Sequence, residues 1–404
     1  MKKLCFVVMM LCAVGSVLAA EPIKAFKGTI FRAGRIPSIG SLTVGPSGKV
    51  TFATGTADQM PTVTGAVNGK GAVGVSAGGQ VQVAVFSFDQ INLSENAEVT
   101  VTGDRALVLV SKGAVVLNTK LDLSGGTPPD NTRASPTTPV GQGGPGGEGG
   151  EYSKTLQSNP PPPDGGNGGP GLKDSGLPGF GFGAGYNQRV KGGTAGGGAG
   201  YGGAGGDASE GSGGAGGGPR AMPGGKTYGD AALLELFGGS GGAGGSNDRN
   251  FESASGGGGG GAVAIVSEVS ITIGSKGSIL AKGGNGAVYK VCGGGGSGGA
   301  VLLAAPLVTI QAGGVVDVSG GNGGTVAGVA GEIASGAGRR NLGSGGGGGG
   351  GRVAIYSNQD MGTPGKNKQE PAAPKGILLH GGTGGEAAKD GAAGTFYDGN
   401  WVAF

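Results

Sequence analysis

Histidine occurs once in this chain, tryptophan once and cysteine three times in 404 residues. Each scarcity removes a class of function. A Ser–His–Asp or Cys–His centre needs a histidine placed by a partner, and only His380 is on offer. A zinc site needs about four N or S ligands. Two of the cysteines, Cys5 and Cys12, fall in an N-terminal apolar run, so Cys292 stands alone and a disulfide framework is excluded. Charged residues make up only 14% and aromatics 5%, which argues against both a highly charged disordered tail and an ordinary aromatic-centred core. The formal charge of +3 gives no general pull toward nucleic acid, and no nucleic-acid partner is expected.

What is abundant is glycine, 104 residues of it, against an ordinary usage of about 7%. Collagen would place it at every third position throughout, and no such register runs along this chain. The other apolar content is gathered in short β-branched stretches between glycine tracts. At the N-terminus, Lys2 and Lys3 precede LCFVVMMLCAVGSVLAA (Leu4–Ala20), with Val17-Leu18-Ala19 at the cleavage positions. That pattern predicts a signal peptide over 1–19, cut after Ala19 or Ala20, and a protein that is secreted, extracellular or on the cell surface. Neither Cys5 nor Cys12 fits a lipidation site. No later run is long enough to span a bilayer, so no transmembrane segment is expected after cleavage.

Internal repeats carry the fold expectation. AVAIVSEVSITIGSKGSILAKGGNG (Ala262–Gly286) and AVLLAAPLVTIQAGGVVDVSGGNGG (Ala300–Gly324) align Ile271 with Val308, Ile273 with Ile310, Ile279 with Val316 and Ala281 with Val318. VVLNTKLDLSGG (Val115–Gly126) is an earlier copy, and RVAIYS (Arg352–Ser357) with GILLHGGTGG (Gly376–Gly385) a split later one. Alternation of the V-x-I type is the period of a strand with one buried face. Units this small must stack on neighbours. The expectation is therefore an all-β chain, a β-solenoid of the right-handed parallel β-helix type, with an open antiparallel sandwich as the alternative. Its long glycine-rich insertions would leave one corner on one side, and their G-G-x repeats suit polyproline-II-like packing or, alternatively, flexible loop. The expected divisions are a signal peptide (1–19), an N-terminal β cap (20–80), first solenoid turns (81–126), a glycine-rich insertion (127–260) and a repeat solenoid closed by a C-terminal aromatic cap (261–404). The core should contain Leu121, Leu123, Ile271, Ile273, Ile279, Val308, Ile310, Val316, Val318, Ile377 and Leu379.

YGDAALLELFGGSGGAGG (Tyr228–Gly245), GGGGGGAVAI (Gly256–Ile265), SGGNGG and GAAGTFY (Gly391–Tyr397) resemble the glycine-rich, β-helix-like secreted proteins of environmental bacteria. The likeness covers about Gly141 to Tyr397. It implies a cell-surface or extracellular location and a β-helix-like fold, and it brings no active site.

The search for chemistry yields little. His380 aligns with Ser319 at a corner, which favours a structural histidine. Cys292 in its glycine tract reads as a small residue tucked beside a strand. Asp122 and Asp317 occupy equivalent outward positions, about 9–10 Å apart if two strand spacings separate them, near the upper limit for an inverting carboxylate pair. Leu280 occupies the same position between them. PGGKT (Pro223–Thr227) ends like a phosphate loop, but Arg220 stands where its first glycine should be. GGAGGDAS (Gly202–Ser209) resembles one calcium-binding nonapeptide with Ser209 in place of its large apolar residue. The tyrosines are scattered, with no sugar-stacking run, and no regular Thr-x-Thr array suggests ice binding. No catalytic residue, cofactor or metal site is assigned and no enzyme is expected. The expected role is a structural or adhesive surface protein, self-assembling as a homo-oligomer into a fibre or layer. The alternative is a β-helix protein that binds or cleaves an extracellular polysaccharide.

Overall fold

The computed structural model describes residues 36–56, 58–76, 79, 81–130, 143–144, 172–173, 181–185, 194–209, 222–247, 254–289, 291–326, 343–359 and 373–401. The expected signal peptide and Phe404 lie outside the described residues, as does much of the 127–260 insertion.

The chain enters through β1 (Leu42–Val44) and β2 (Lys49–Ala53), whose buried and exposed residues alternate. β3 (Thr62–Gly65) then turns back antiparallel on β2, and β4 (Gly69–Lys70) antiparallel on β3. Gly65, the last residue of β3, leads into the second of these returns. Its φ is +110°, and a Cβ there would lie 2.3 Å from the Lys49 carbonyl oxygen. β5 (Ala72–Val75) pairs antiparallel with β6 (Gln82–Phe88). β7 (Ile91–Leu93) and β8 (Glu98–Thr102) run parallel to β1 and β2.

Three further strands follow: β9 (Ala106–Ser111), β10 (Val115–Leu117) and β11 (Lys120–Asp122). β12 (Leu172–Lys173) and β13 (Ser246–Asn247) form a separate parallel pair. The two long repeats give β14 (Ala262–Ser267), β15 (Ser270–Ile273) and β16 (Ser278–Leu280), then β17 (Ala300–Ala304), β18 (Leu307–Ile310) and β19 (Val315–Asp317). β20 (Arg352–Ser357), β21 (Ile377–Leu378) and β22 (Thr395–Asn400) complete the set.

These strands sort into sheets of the orders β1-β7-β10-β15-β18, β11-β16-β19-β21, β22-β20-β17-β14-β9-β6-β5 and β4-β3-β2-β8, besides the β12–β13 pair. The first two are wholly parallel, and the last two are mixed. Among the described residues there is no α-helix. The expected β-solenoid is thus corrected to a strand-rich fold of several separate parallel and mixed sheets. Its N-terminal strands double back as antiparallel hairpins, and the described segments of its glycine tracts pack on one another. Both departures have a local physical cause: tight glycine turns in the first, and backbone hydrogen bonding between glycine segments in the second.

The register of the repeats is as aligned. Ile271 pairs with Val308, Ile273 with Ile310, Ile279 with Val316, and Leu121 with Ile279. Most of the expected core is buried, from Leu121 and Leu123 to Val316 and Val318, while Ile310 and Leu379 are only partly covered. Burying such side chains is worth about 1.5–3 kcal/mol each. The seven-stranded sheet behaves differently, because both its faces are covered. Leu107, Ile265, Leu303 and Ile355 face the main core, while Val108, Ala264, Leu302 and Ala354 meet a second cluster with Tyr201, Phe237 and Trp401. Hence AVAIVS and RVAIYS are buried at every position.

The glycine tracts make a third body. Segment 293–299 is buried throughout. Gly293, Gly296 and Gly299 donate to the carbonyls of Ala287, Gly284 and Ala281 at 3.1, 2.9 and 2.7 Å. Gly294 and Ser297 donate to Ala243 and Ser240, and Gly295 and Gly298 to Gly346 and Gly349. In return its carbonyls accept from Gly324, Gly321, Gly257, Gly260 and Ala199. Donation thus rotates among three neighbouring segments with a period of three residues, as an extended chain of three residues per turn requires. Each N–H of 293–299 finds a carbonyl partner this way. The packing is close enough to demand glycine: a Cβ on Gly296 would sit 2.0 Å from the Gly258 oxygen.

One buried cation joins this body to the sheets. Arg352, at the start of β20, donates to the carbonyls of Tyr228 (2.6 Å), Tyr201 and Gly229 and to Thr395 Oγ1 (2.9 Å). Its guanidinium lies 5.3 Å from the Tyr201 ring centroid.

Candidate functional site

A polar surface lies where sheet β11-β16-β19-β21 runs into the glycine segments. It includes a groove of about 500 Å³ lined among others by Asp122, Lys282, Asn285, Asp317, Asn322 and His380. Strand register puts Asp122, Leu280, Asp317 and Leu378 in one column. Two residues further along each chain stand Ser124, Lys282, Ser319 and His380. Three further on stand Thr127, Asn285, Asn322 and Thr383, all exposed.

The outer column is a hydrogen-bonded ladder. Thr127 Oγ1 accepts from the Asn285 N–H (2.9 Å), Asn285 Oδ1 from the Asn322 N–H (2.8 Å), and Asn322 Oδ1 from the Thr383 N–H (2.9 Å). Ser124 Oγ accepts from the Lys282 N–H at 3.3 Å, and Asp130 Oδ1 from the Val288 N–H at 2.8 Å. The reason is geometric. At the outer surface of the glycine body, the third N–H of a segment has no further segment to donate to, and a side chain of the preceding copy supplies the acceptor.

The two aspartates close their own corners. Asp122 Oδ1 accepts from the Ser124 N–H at 3.0 Å and Asp317 Oδ1 from the Ser319 N–H at 2.9 Å. Lys120 lies 3.2 Å from Asp122 and Lys282 4.0 Å from Asp317. Partial burial pushes the Asp122 carboxyl up, but hydrogen bonds from Ser124 and Lys120 outweigh it and hold the group below the usual carboxylate range. A sugar-cleaving pair needs one protonated and one ionised carboxyl, and Asp122 could serve only as the ionised member.

The other sequence candidates lie apart from this surface. Cys292 is buried in the glycine body, its Sγ 3.1 Å from the Tyr289 carbonyl oxygen, and burial pushes its thiol up to about 12. The PGGKT segment is tied to other glycine segments, Gly224 N–H to Asp207 Oδ1 (2.9 Å) and Gly225 N–H to the Gly198 oxygen (2.8 Å). GGAGGDAS is likewise packed, with Gly203, Gly206 and Ser209 donating to Gly350, Gly347 and Ser344. Asp207 pairs with Lys389 at 2.7 Å. Among the described residues no group of three or more His, Cys, Asp or Glu could hold a metal ion.

No family model, no curated protein and no solved structure matches this chain. The reading of its surface therefore rests on its own geometry.

Sequence reasoning placed Asp122 and Asp317 in their column and His380 beside Ser319. It missed the asparagine ladder, although the superimposed GGNG motifs at 283–286 and 320–323 contain it.

Proposed function

We propose that this is a secreted structural or adhesive surface protein whose role is to present a rigid, ordered side-chain array. The observation that carries the reading is the glycine body: its interior is backbone hydrogen-bonded to backbone, and its chemistry is displaced to an outer face of short polar side chains. A body built this way is stiff and low in exposed apolar surface, which suits an extracellular scaffold. Carbohydrate binding is the second reading, favoured by the groove and its columns. Carbohydrate cleavage has less support, because Leu280 stands between Asp122 and Asp317 in their column and each carboxylate accepts from an N–H of its own corner. Self-assembly into a fibre or layer would use the outer strands of the seven-stranded sheet, β5 and β22. The antiparallel β5 would make any head-to-tail pairing at that edge differ from the parallel pairing inside the sheet.

Cell fractionation, N-terminal sequencing and electron microscopy of the secreted material test this. The expected result is a mature chain beginning at Ala20 or Glu21 in the extracellular or surface fraction. An intact Met1 terminus on cytoplasmic protein would overturn it.

A further inference from the structure

We infer that the three columns around the groove form a contact surface for a long, neutral, hydroxyl-rich polysaccharide. The inference rests on the adhesive reading above and names its ligand. Four observations carry it.

The array is ordered before any ligand arrives. Thr127, Asn285 and Asn322 are each fixed by accepting a backbone N–H from the neighbouring copy. Little side-chain entropy remains to be lost on binding.

The chemistry left over matches hydroxyl groups. With Oδ1 of Asn285 and Asn322 engaged, the amide Nδ2 groups remain as donors. Ser124 Oγ accepts from backbone, and its side chain is hydrogen-bonded to Asp122. The aspartates keep acceptor capacity beside these donors. A sugar hydroxyl both donates and accepts, so it is satisfied at any point of such a mixture.

Charge argues against a polyanion. Asp122 and Asp317 are each accompanied by a lysine, Lys120 and Lys282. An acidic polymer would meet two carboxylates with no surplus of cations to compensate.

Spacing favours a repeating ligand. Strand neighbours stand about 4.8 Å apart, and three extended residues advance about 9 Å between the second and third columns. None of the columns contains Phe, Tyr or Trp, so no large ring platform concentrates affinity on one sugar. Each contact is weak, and binding must come from many of them on one chain.

The test uses the purified mature chain in pull-downs with cellulose, chitin and dextran gel as neutral polymers and alginate gel as the acidic one. The expected result is retention on at least one neutral polymer, none on alginate, and poor competition by di- and trisaccharides of the retaining polymer. The double variant Asn285→Asp, Asn322→Asp keeps an acceptor for each backbone N–H but removes both amide donors. It should weaken retention by about tenfold or more. A melting midpoint for this variant close to that of the parent establishes that it is folded. To cover the added charge, Asn285→Ser with Asn322→Ser is measured beside it, and the same direction of change is expected. Retention equal to the parent in both variants would overturn the inference, as would binding to alginate alone or to none of the polymers. In those cases a protein still found in the surface fraction leaves the adhesive reading standing. A cytoplasmic protein would remove that reading instead.

Discussion

Replacing Gly296 by alanine probes the glycine body at its centre. The new Cβ would lie 2.0 Å from the Gly258 oxygen and 2.5 Å from its carbonyl carbon. Ordinary contact begins at 3.4 Å, so one segment must withdraw by more than an ångström. Gly296 donates to Gly284 at 2.9 Å and accepts from Gly321 at 2.8 Å, and its neighbours are bonded as tightly on every side. Losing about three hydrogen bonds at roughly 1 kcal/mol each, with overpacking of about 1–3 kcal/mol, gives a destabilisation of roughly 4–6 kcal/mol. The matched control is Gly45→Ala, since nothing lies within 4 Å of a Cβ there. Its effect should stay within about 0.5 kcal/mol. Thermal melts followed by circular dichroism should put the Gly296 variant roughly 5–10 °C below the parent and the Gly45 variant beside it. Equal melting of the two variants would refute the claim that glycine is required by packing.

Val316→Asp introduces a carboxylate at a fully buried position between Ile279 and Ile377 and should cost more than about 4 kcal/mol, whereas Asp317→Asn next to it should cost about 1 kcal/mol; urea titrations compare them. Cys292 is fully buried with its thiol raised to about 12, so maleimide should not label it in the native state at pH 8 and should label it in denaturant. Because that folded value lies above the ordinary 9.0, the folded state holds a proton the unfolded state has lost. Its contribution to stability is complete below pH 9 and disappears as pH rises through about 12, measurable as a falling melting midpoint. Arg352→Met removes the donor from the carbonyls of Tyr228, Tyr201 and Gly229 and should cost about 2–4 kcal/mol by the same melt, with Arg352→Lys recovering part of it.

Some of this architecture could be read in the residues, and the limits are physical. Alternation marks a one-sided strand, so the pairing of Ile271 with Val308 and Ile279 with Val316 followed from the aligned copies. Alternation is silent about direction. The hairpins β2–β3 and β5–β6 share the period of the parallel strands, and only the turn glycines distinguish them. Two-sided burial erases the period. ALVLVS (Ala106–Ser111) therefore went unrecognised as the partner of AVAIVS. TFYDGN, part of the expected C-terminal aromatic cap, is the outer strand of the seven-stranded sheet, with Phe396 in the main core and the following Trp401 in the second cluster. Glycine tracts carry no side-chain pattern to say which segments adjoin, and this hid the third body. The candidate surface was half legible. The aspartate column came from alignment, but the asparagine column depends on backbone N–H groups left over at the surface of a body that the sequence did not reveal.

Backbone hydrogen exchange tests the glycine body most directly. If its segments hold one another by interlocked N–H to carbonyl bonds, the amides of 293–299 and 345–351 will exchange as slowly as those of the buried strand β14. Exchange of these glycine amides within seconds, at the rate of an open loop, while β14 stays protected would contradict it.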